Sequence, residues 1–289
     1  MRVFGNTMER ASWTTCRHTG AWLGLMFWHA ARKRQEIAAR NVRRAFPNLS
    51  NVACRRIARR AAQNSIMTFC EFLHMRVASP REIADYCDID GFEHIQKALD
   101  GGRGALLVTA HFGNWEVMGS RVGQKIPMTV IARPRSNLGV DAHIEEVRRE
   151  SGMSVISKYD SAREILGVLR KNGALGILPD QYAGENGLLL PLFGQLTRFE
   201  PAPARLALMG KAPIVPSFGI RRKPWLADGR IVATMTGLHN LNGKDYDSRE
   251  EAMLAGTRLV IDELEKIVRA HPAQWLWMHR RWRDEDESA

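Results

Sequence analysis

From Gly91 onward, short apolar runs alternate with segments of helical periodicity, and this alternation constrains the fold more than any other feature of the chain. Short runs rich in β-branched residues are typical of buried strands, while apolar residues three and four apart are typical of helices. The predicted strands are residues 105–109, 128–132, a short run near Val155, and residues 174–178, 214–220 and 230–235. The predicted helices are residues 93–99, a segment ending near Lys125, and residues 138–150, 161–170, 201–209 and 248–270.

Strands joined by helices usually run parallel in a sheet that helices cover on both faces. The sequence therefore predicts an α/β fold with a mixed, mostly parallel central sheet flanked by helices. We also expect a helical N-terminal segment that associates with a membrane and precedes the α/β part.

This N-terminal region is strongly basic. Residues 1–60 contain 13 Lys and Arg against two Glu, a net charge of +11, whereas residues 61–289 contain 29 residues of each sign. Such a concentration of positive charge favours an anionic membrane surface, nucleic acid or another acidic partner. We predict a basic, membrane-facing helical region over residues 1–76 and an α/β domain over residues 77–289.

The most apolar segment of the N-terminal region is residues 21–31, which is 11 residues long. A helix that spans a bilayer needs about 20 apolar residues. The segment contains Trp22 and Trp28 and is followed by three basic residues, 32–34, which is typical of a helix lying in the membrane interface. An ordinary core helix would show much the same pattern.

Several classes of site have no support in the sequence. The four cysteines lack CxxC spacing and nearby histidines, so we expect buried free thiols in a reducing compartment rather than disulfides or zinc. The chain also lacks the Gly-x-Ser-x-Gly elbow, the Walker lysine loop and the Rossmann glycine pattern, which argues against serine hydrolases, P-loop NTPases and NAD enzymes. We expect neither a metal nor a cofactor.

The strand predicted at residues 105–109 stops just before His111, and Glu116 follows five residues later across a Gly113-Asn114 turn. Parallel strands present functional side chains at their carboxyl ends, so His111 and Glu116 read as a general base and its partner. On these residues alone, an ordinary structural role is the favoured interpretation of His111.

Two further predicted strands end at polar residues. Arg133 and Arg135 follow residues 128–132, and Asp180 follows residues 174–178. Carboxyl ends of parallel strands lie on one rim of a sheet, so these side chains could converge on His111. Arginine can hold a phosphate through two parallel hydrogen bonds, and the convergence favours the catalytic interpretation of His111.

These residues resemble a known family. The histidine, four residues, acidic motif of His111 and Glu116 resembles that of glycerolipid-type acyltransferases in the lysophospholipid acyltransferase superfamily. Over nearly its whole length, the chain is similar to the lipid A biosynthesis lauroyl/myristoyl acyltransferases. The other blocks that carry this resemblance are residues 41–50, Ala132-Arg133-Pro134 with Asn137, residues 178–181 followed by 191–194, and residues 274–282.

The resemblance implies transfer of a fatty acyl group from an acyl carrier protein thioester to a hydroxyl of a lipid A precursor. The implied location is the cytoplasmic face of a bacterial inner membrane. In this interpretation His111 removes the hydroxyl proton, while Glu116 fixes its tautomer and stabilises the imidazolium. The implied partners are acyl carrier protein, an anionic lipid acceptor and the membrane surface, with no nucleic acid.

The resemblance also suggests roles for other residues. Arg148 aligns with an arginine that serves the family's active site, although a solvated helix face is an equally good interpretation. We predict that Arg133, Arg135, Arg148 and Asp180 bind substrate. Backbone amides around Gly113 and Asn114, or an arginine, are candidate donors to the oxyanion.

Two alternatives remain on the sequence alone. An acyltransferase for another membrane lipid, such as a glycolipid, a phosphatidylinositol mannoside or a lysophospholipid, would use the same base and thioester chemistry. A basic membrane- or nucleic-acid-binding protein without enzymatic activity would account only for the N-terminal charge.

Overall fold

A seven-stranded sheet lies at the centre of the computed structural model, which describes residues 2–134, 138–223 and 229–283. The strands are β1 (Cys87–Asp90), β2 (Ala105–Val108), β3 (Met128–Ala132), β4 (Met153–Ser157), β5 (Ala174–Ile177), β6 (Leu188–Leu192), β7 (Gln195–Phe199), β8 (Ile214–Arg221) and β9 (Ile231–Met235). The sheet order is β1-β9-β8-β2-β5-β3-β4, and only the β8–β9 pair is antiparallel. Strands β6 and β7 form a separate antiparallel hairpin. The predicted mixed, mostly parallel sheet is confirmed.

Helices cover both faces of this sheet. They are α1 (Arg2–Glu9), α2 (Trp13–Ala30), α3 (Arg32–Ala45), α4 (Asn51–Met75), α5 (Pro80–Tyr86), α6 (Phe92–Asp100), α7 (Trp115–Gly123), α8 (Leu138–Glu150), α9 (Ala162–Arg170), α10 (Ala202–Gly210) and α11 (Arg249–Ala270). Along β2, Leu107 packs into a core with α5, α6 and α7, whereas Leu106 and Val108 pack into a core with α9, α10 and α11. This division follows from the alternation of side chains along a strand.

The sequence did not predict β1 or the β6–β7 hairpin. Strand β1 reads Cys-Asp-Ile-Asp and forms one edge of the sheet, where acidic side chains are tolerated, so it lacks an apolar run. Strand β6 contains Pro191, which cannot donate to a ladder and lowers the strand signal of its leucines.

The apolar segment 21–31 lies mostly within α2, which packs along α4. Gly20 and Gly24 let the two helices approach closely, because a Cβ at either position would lie about 2.5 Å from the α4 backbone. Trp28 is buried in the core, whereas Trp22 is 61% exposed. The interpretation as a core helix therefore holds for one face of α2, and contact of the other face with a membrane interface stays a prediction. Among the described residues, no helix is both long and apolar enough to cross a membrane.

The N-terminal helices also contact the α/β part. The inner face of α4 is buried at Asn64, Thr68 and Glu71, all of which bond to residues beyond position 110. The division of the chain at residue 76 stays a prediction.

Gly24→Ala tests the close packing of α2 on α4. The new Cβ would lie 2.6 Å from Gln63 Cα, so the helices must separate, and we expect a loss of about 1–3 kcal/mol in the free energy of unfolding. Urea unfolding measures it. Gly167→Ala in α9 is the control, since nothing lies within 4 Å of its Cβ position, and helix propensity predicts a gain of about 0.5–1 kcal/mol. An equal gain for Gly24→Ala would contradict the packing.

Candidate active site

His111 and Asp180 meet where two neighbouring parallel strands end. His111 lies three residues beyond β2 and Asp180 three residues beyond β5, and β2 pairs with β5. Asp180 accepts a hydrogen bond from the His111 backbone N–H at 3.0 Å and contacts His111 Nδ1 at 2.8 Å. The predicted convergence of these two strand ends is therefore seen in the structure.

The His111–Asp180 contact sets the tautomer of the histidine. An ionised carboxylate can only accept, so Nδ1 carries a proton, and in the neutral ring Nε2 keeps its lone pair. Among the residues that the structure describes, none is a hydrogen-bond partner of Nε2, and the His111 side chain is 24% exposed. Nε2 is thus the nitrogen available to a substrate.

The electrostatics of the pair follow from burial and charge acting in opposite directions. Burial by itself lowers the pKa of His111, but the Asp180 carboxylate outweighs it and holds that pKa above its ordinary value. Burial raises the pKa of Asp180, but His111 and the hydrogen bond from Trp275 Nε1 at 2.9 Å hold it below its usual range. Asp180 therefore stays ionised at neutral pH.

Glu116 does not hold the His111 ring, and that part of the sequence prediction is wrong. Its carboxylate binds Arg148 instead, with Nη2 at 2.6 Å from Oε1 and Nε at 3.1 Å from Oε2. The reason is the helix start: Asn114 caps α7, so Glu116 lies in the first helical turn, within reach of α8. Arg148 outweighs burial and keeps the pKa of Glu116 low, and the Glu116 charge also helps to raise the pKa of His111.

The predicted substrate-binding residues have different positions. Arg148 is not on a solvated helix face, because its side chain is only 18% exposed and is bidentate to Glu116. Arg133 directly follows β3 and is exposed. Arg135 lies outside the described residues. Asp180 holds His111 rather than standing free for a ligand. Binding of substrate by the three arginines stays a prediction.

The turn between His111 and Glu116 packs closely against strand β8. Gly113 has a φ of +56°, and a Cβ there would lie 1.8 Å from Gly219 O. Gly113 N–H donates to Gln274 O at 2.9 Å and Asn114 N–H to Gly219 O at 2.8 Å. Both amides are therefore occupied, and the prediction that they donate to an oxyanion is wrong. Their predicted role in the turn is confirmed.

A fully buried ion pair also fixes this turn. Glu71 and Arg221 have no exposed side-chain surface and form a bidentate pair at 2.6 and 2.7 Å. The same carboxylate accepts from Asn114 Nδ2 at 2.7 Å and from the Tyr86 hydroxyl at 2.5 Å. Sequence reasoning missed Glu71; the available signal was a single acidic residue within the apolar stretch Phe69–Leu73.

Two side chains of helix α4 also donate hydrogen bonds to the carbonyl oxygen of this turn. Thr68 Oγ1 donates to Gly113 O at 2.7 Å and Asn64 Nδ2 donates to it at 3.1 Å. Arg221 Nε in turn donates to Asn64 Oδ1 at 3.0 Å. The turn is thus bonded to α4, β8 and Gln274 at once.

The C-terminal segment closes the site from another side. Trp275 and Trp277 are buried, as expected for packing residues, and Trp275 also bonds to Asp180. Leu276 N–H donates to His111 O at 3.1 Å. His279, which sequence reasoning did not single out, accepts a hydrogen bond from Tyr182 N–H at 3.0 Å. Within the described ranges, no group of three or more His, Cys, Asp or Glu could hold a metal ion.

Comparisons with known proteins agree with the resemblance seen in the sequence. A model of the bacterial lipid A biosynthesis acyltransferase family matches residues 11–284. The lipid A biosynthesis lauroyltransferase of Escherichia coli K12 is 27% identical over 270 residues, which cover 93% of this chain and 85% of that protein. A phosphatidylinositol mannoside acyltransferase of Mycolicibacterium smegmatis is 24% identical over 213 residues, 69% of this chain and 64% of that protein. A crystal structure of a 1-acyl-sn-glycerophosphate acyltransferase from Thermotoga maritima aligns with a TM-score of 0.41 and 13% identity, covering 87% of this chain and 97% of that chain.

The His111–Asp180 pair predicts a titration that NMR can follow. The pKa of His111 should lie above its ordinary value, and it should fall in Asp180→Asn, because burial of the ring remains while the opposing negative charge is lost. Asp160→Asn changes a carboxylate that bonds only locally, to Ser157 N–H, and is the control. An unchanged His111 titration in Asp180→Asn would contradict the pairing.

Proposed function

Because the chain belongs to the bacterial lipid A biosynthesis acyltransferase family, we propose that it moves a fatty acyl group from an acyl carrier protein thioester to a hydroxyl of a lipid A precursor. The family predicted from the sequence is confirmed, and so is the acyltransferase class. The observation that carries the mechanism is His111, whose Nδ1 is held by a buried carboxylate and whose Nε2 is open. An alcohol is a weak nucleophile at neutral pH and needs such a base.

In the proposed reaction, His111 Nε2 takes the proton of the acceptor hydroxyl as its oxygen attacks the thioester carbonyl carbon. The new C–O bond forms, the C–S bond breaks, and the imidazolium returns the proton to the leaving thiolate. Asp180 stabilises the imidazolium without taking the proton itself. The products are the acylated lipid and the free carrier thiol.

The Glu116–Arg148 pair supplies a different function. Glu116 orients the guanidinium of Arg148, which keeps a positive charge in a partly buried position near His111. A guanidinium held this way suits a phosphate group of an anionic acceptor. We propose that Arg148 and Arg133 bind the acceptor, together with Arg135 on sequence grounds.

A second candidate acceptor is another membrane glycolipid. The M. smegmatis relative named as a phosphatidylinositol mannoside acyltransferase favours it, because that protein aligns over 69% of this chain. The base and the thioester chemistry would be the same for both acceptors. A panel that contains a lipid A precursor, phosphatidylinositol mannosides and lysophospholipids separates them, and parallel assays with acyl carrier protein and coenzyme A thioesters identify the donor.

His111→Ala should lower kcat for acyl transfer by about 10²–10⁴-fold, the usual contribution of a general base. In the wild-type enzyme the rate should rise as the pH passes the raised pKa of His111, because only the neutral ring accepts a proton. Asp180→Asn should move this acid limb to lower pH and reduce kcat as well.

His143→Ala is the matched control, since His143 is a half-exposed histidine of α8 that pairs with Glu146. It should transfer at the wild-type rate. If His111→Ala transfers as well as the wild-type enzyme, the assignment of the base fails; if the wild-type enzyme acylates no lipid of the panel, the proposed function fails.

We propose that the protein attaches peripherally to the cytoplasmic face of the inner membrane through α2 and α4. The outer face of α2 exposes Trp22 and Met26, and α4 exposes Phe69. Exposed basic residues accompany these side chains: Arg32, Lys33, Arg34, Arg55, Arg56, Arg59 and Arg60. Apolar side chains within a basic surface suit the interface of an anionic bilayer.

Trp22→Ser tests this attachment without disturbing the core, because Trp22 is largely exposed. Loss of a large apolar side chain from the lipid interface should weaken binding to anionic vesicles by about 1.5–3 kcal/mol, or roughly tenfold or more. Leu254→Ser on α11 changes another exposed apolar residue and should leave binding unchanged. Vesicle sedimentation measures both, and higher salt should weaken wild-type binding. Equal binding of Trp22→Ser and the wild-type protein would exclude α2 as the lipid contact.

A further inference from the structure

Acyl transfer needs a hydrogen-bond donor for the oxygen of the thioester carbonyl, which gains negative charge as the acceptor attacks. The backbone amides of the turn next to His111 cannot serve, because Gly113 and Asn114 donate to Gln274 O and Gly219 O. The amide of His111 itself donates to Asp180. The donor must therefore come from another part of the site.

The C-terminal segment carries a second histidine to the same strand end. Tyr182, two residues after Asp180, donates its backbone N–H to His279 Nε2 at 3.0 Å. Three residues before His279, the Leu276 N–H donates to the His111 carbonyl at 3.1 Å. His111 and His279 thus both bond to the segment that follows β5. The C-terminal segment, which contains His279, also bonds to His111 through Leu276.

The tautomer of His279 follows from its partner. A backbone N–H can only donate, so Nε2 of His279 must hold the lone pair and Nδ1 must carry the proton. Protonation of the ring would break the bond from Tyr182. Burial lowers the pKa of His279 to about 4, while the charges of Asp180 and His111 act on it in opposite directions. The ring is therefore neutral near pH 7 and lies within electrostatic reach of the proposed base.

The backbone at His279 is also held in place. The His279 carbonyl accepts from Asn41 Nδ2 at 2.7 Å and from Arg281 N–H at 2.9 Å. Within the part of the chain that the structure describes, no residue accepts a hydrogen bond from Nδ1, and the side chain is half-buried. A fixed N–H without an acceptor in the protein is what a preorganised donor requires.

We propose that His279 is a catalytic residue whose Nδ1–H donates to the thioester carbonyl oxygen in the transition state. As the acceptor oxygen bonds to the carbonyl carbon, the C=O π electrons move onto the carbonyl oxygen, which accepts a stronger hydrogen bond from Nδ1–H. The electron pair returns when the C–S bond breaks, and His279 keeps its proton throughout. Because the donor is uncharged, it does not lower the basicity of His111. The role rests on the proposed function.

Two amide substitutions separate this role from a structural one. His279→Asn keeps an N–H donor near the position of Nδ1 but loses the acceptor for Tyr182, whereas His279→Gln keeps an acceptor near Nε2 and loses the Nδ1 donor. We expect His279→Gln to lower kcat by about 10²-fold with an unchanged KM for the thioester, and His279→Asn to retain more of the wild-type kcat. In both variants, the rate should still rise with pH through the pKa of His111, as in the wild-type enzyme.

The opposite order would overturn the proposal: if His279 only anchors Tyr182, His279→Gln transfers normally and His279→Asn is the impaired variant. Equal loss in both variants overturns it as well. His111→Ala, assayed in parallel, separates the two hypotheses. If His111→Ala is inactive and His279→Gln has the wild-type kcat, only the role of His279 fails; if His111→Ala is fully active, the assignment of the base fails, and if the wild-type enzyme acylates no lipid of the panel, the proposed function fails. Thermal unfolding of each variant sets an assay temperature at which all are folded.

Discussion

The rest of the site depends on the buried ion pair of Glu71 and Arg221. Removing these charges from water costs several kcal/mol for each ion, and only good geometry with further hydrogen bonds offsets that cost. Here the pair is bidentate, and Tyr86 and Asn114 complete the carboxylate's partners. Because Asn114 caps α7 and adjoins Gly113, the ion pair fixes the turn that separates His111 from Glu116. The N-terminal helix α4 is thus part of the framework of the candidate site as well as of the basic region.

Two acidic residues near His111 have separate surroundings because each has its own basic partner. Asp180 faces the His111 ring, and Glu116 faces Arg148. In each case the partner's charge outweighs burial and keeps the pKa of the carboxyl low, so neither acid competes for the proton that His111 accepts. The arrangement places His111 close to the positive charge of Arg148.

Much of this could be predicted from the sequence, and the failures have physical causes. Periodicity identified the strands of the sheet apart from the edge strand β1, and polar residues at strand ends identified His111 and Asp180. The sequence could not show whether Asp180 or Glu116 holds the His111 ring. That outcome depends on the pairing of β2 with β5, and local sequence patterns do not determine strand order. The Glu71–Arg221 pair joins residues 150 positions apart, so no local pattern contains it.

The chemistry that the site supports says little about which lipid it acylates. In the proposed reaction, His111 acts on a hydroxyl, which lipid A precursors, phosphatidylinositol mannosides and lysophospholipids all carry, and His279 acts on the thioester carbonyl of the donor. In this proposal, discrimination between lipids comes from contacts outside the reacting atoms, namely the arginines around the site and the orientation of the bound protein on the membrane. Helix α4 connects the basic surface to the site. Its outer face carries Arg55, Arg56 and Arg59, while its inner face donates a hydrogen bond to Gly113 O. If the protein attaches to the membrane as proposed, the positive charge of this surface favours anionic acceptors ahead of any chemical step.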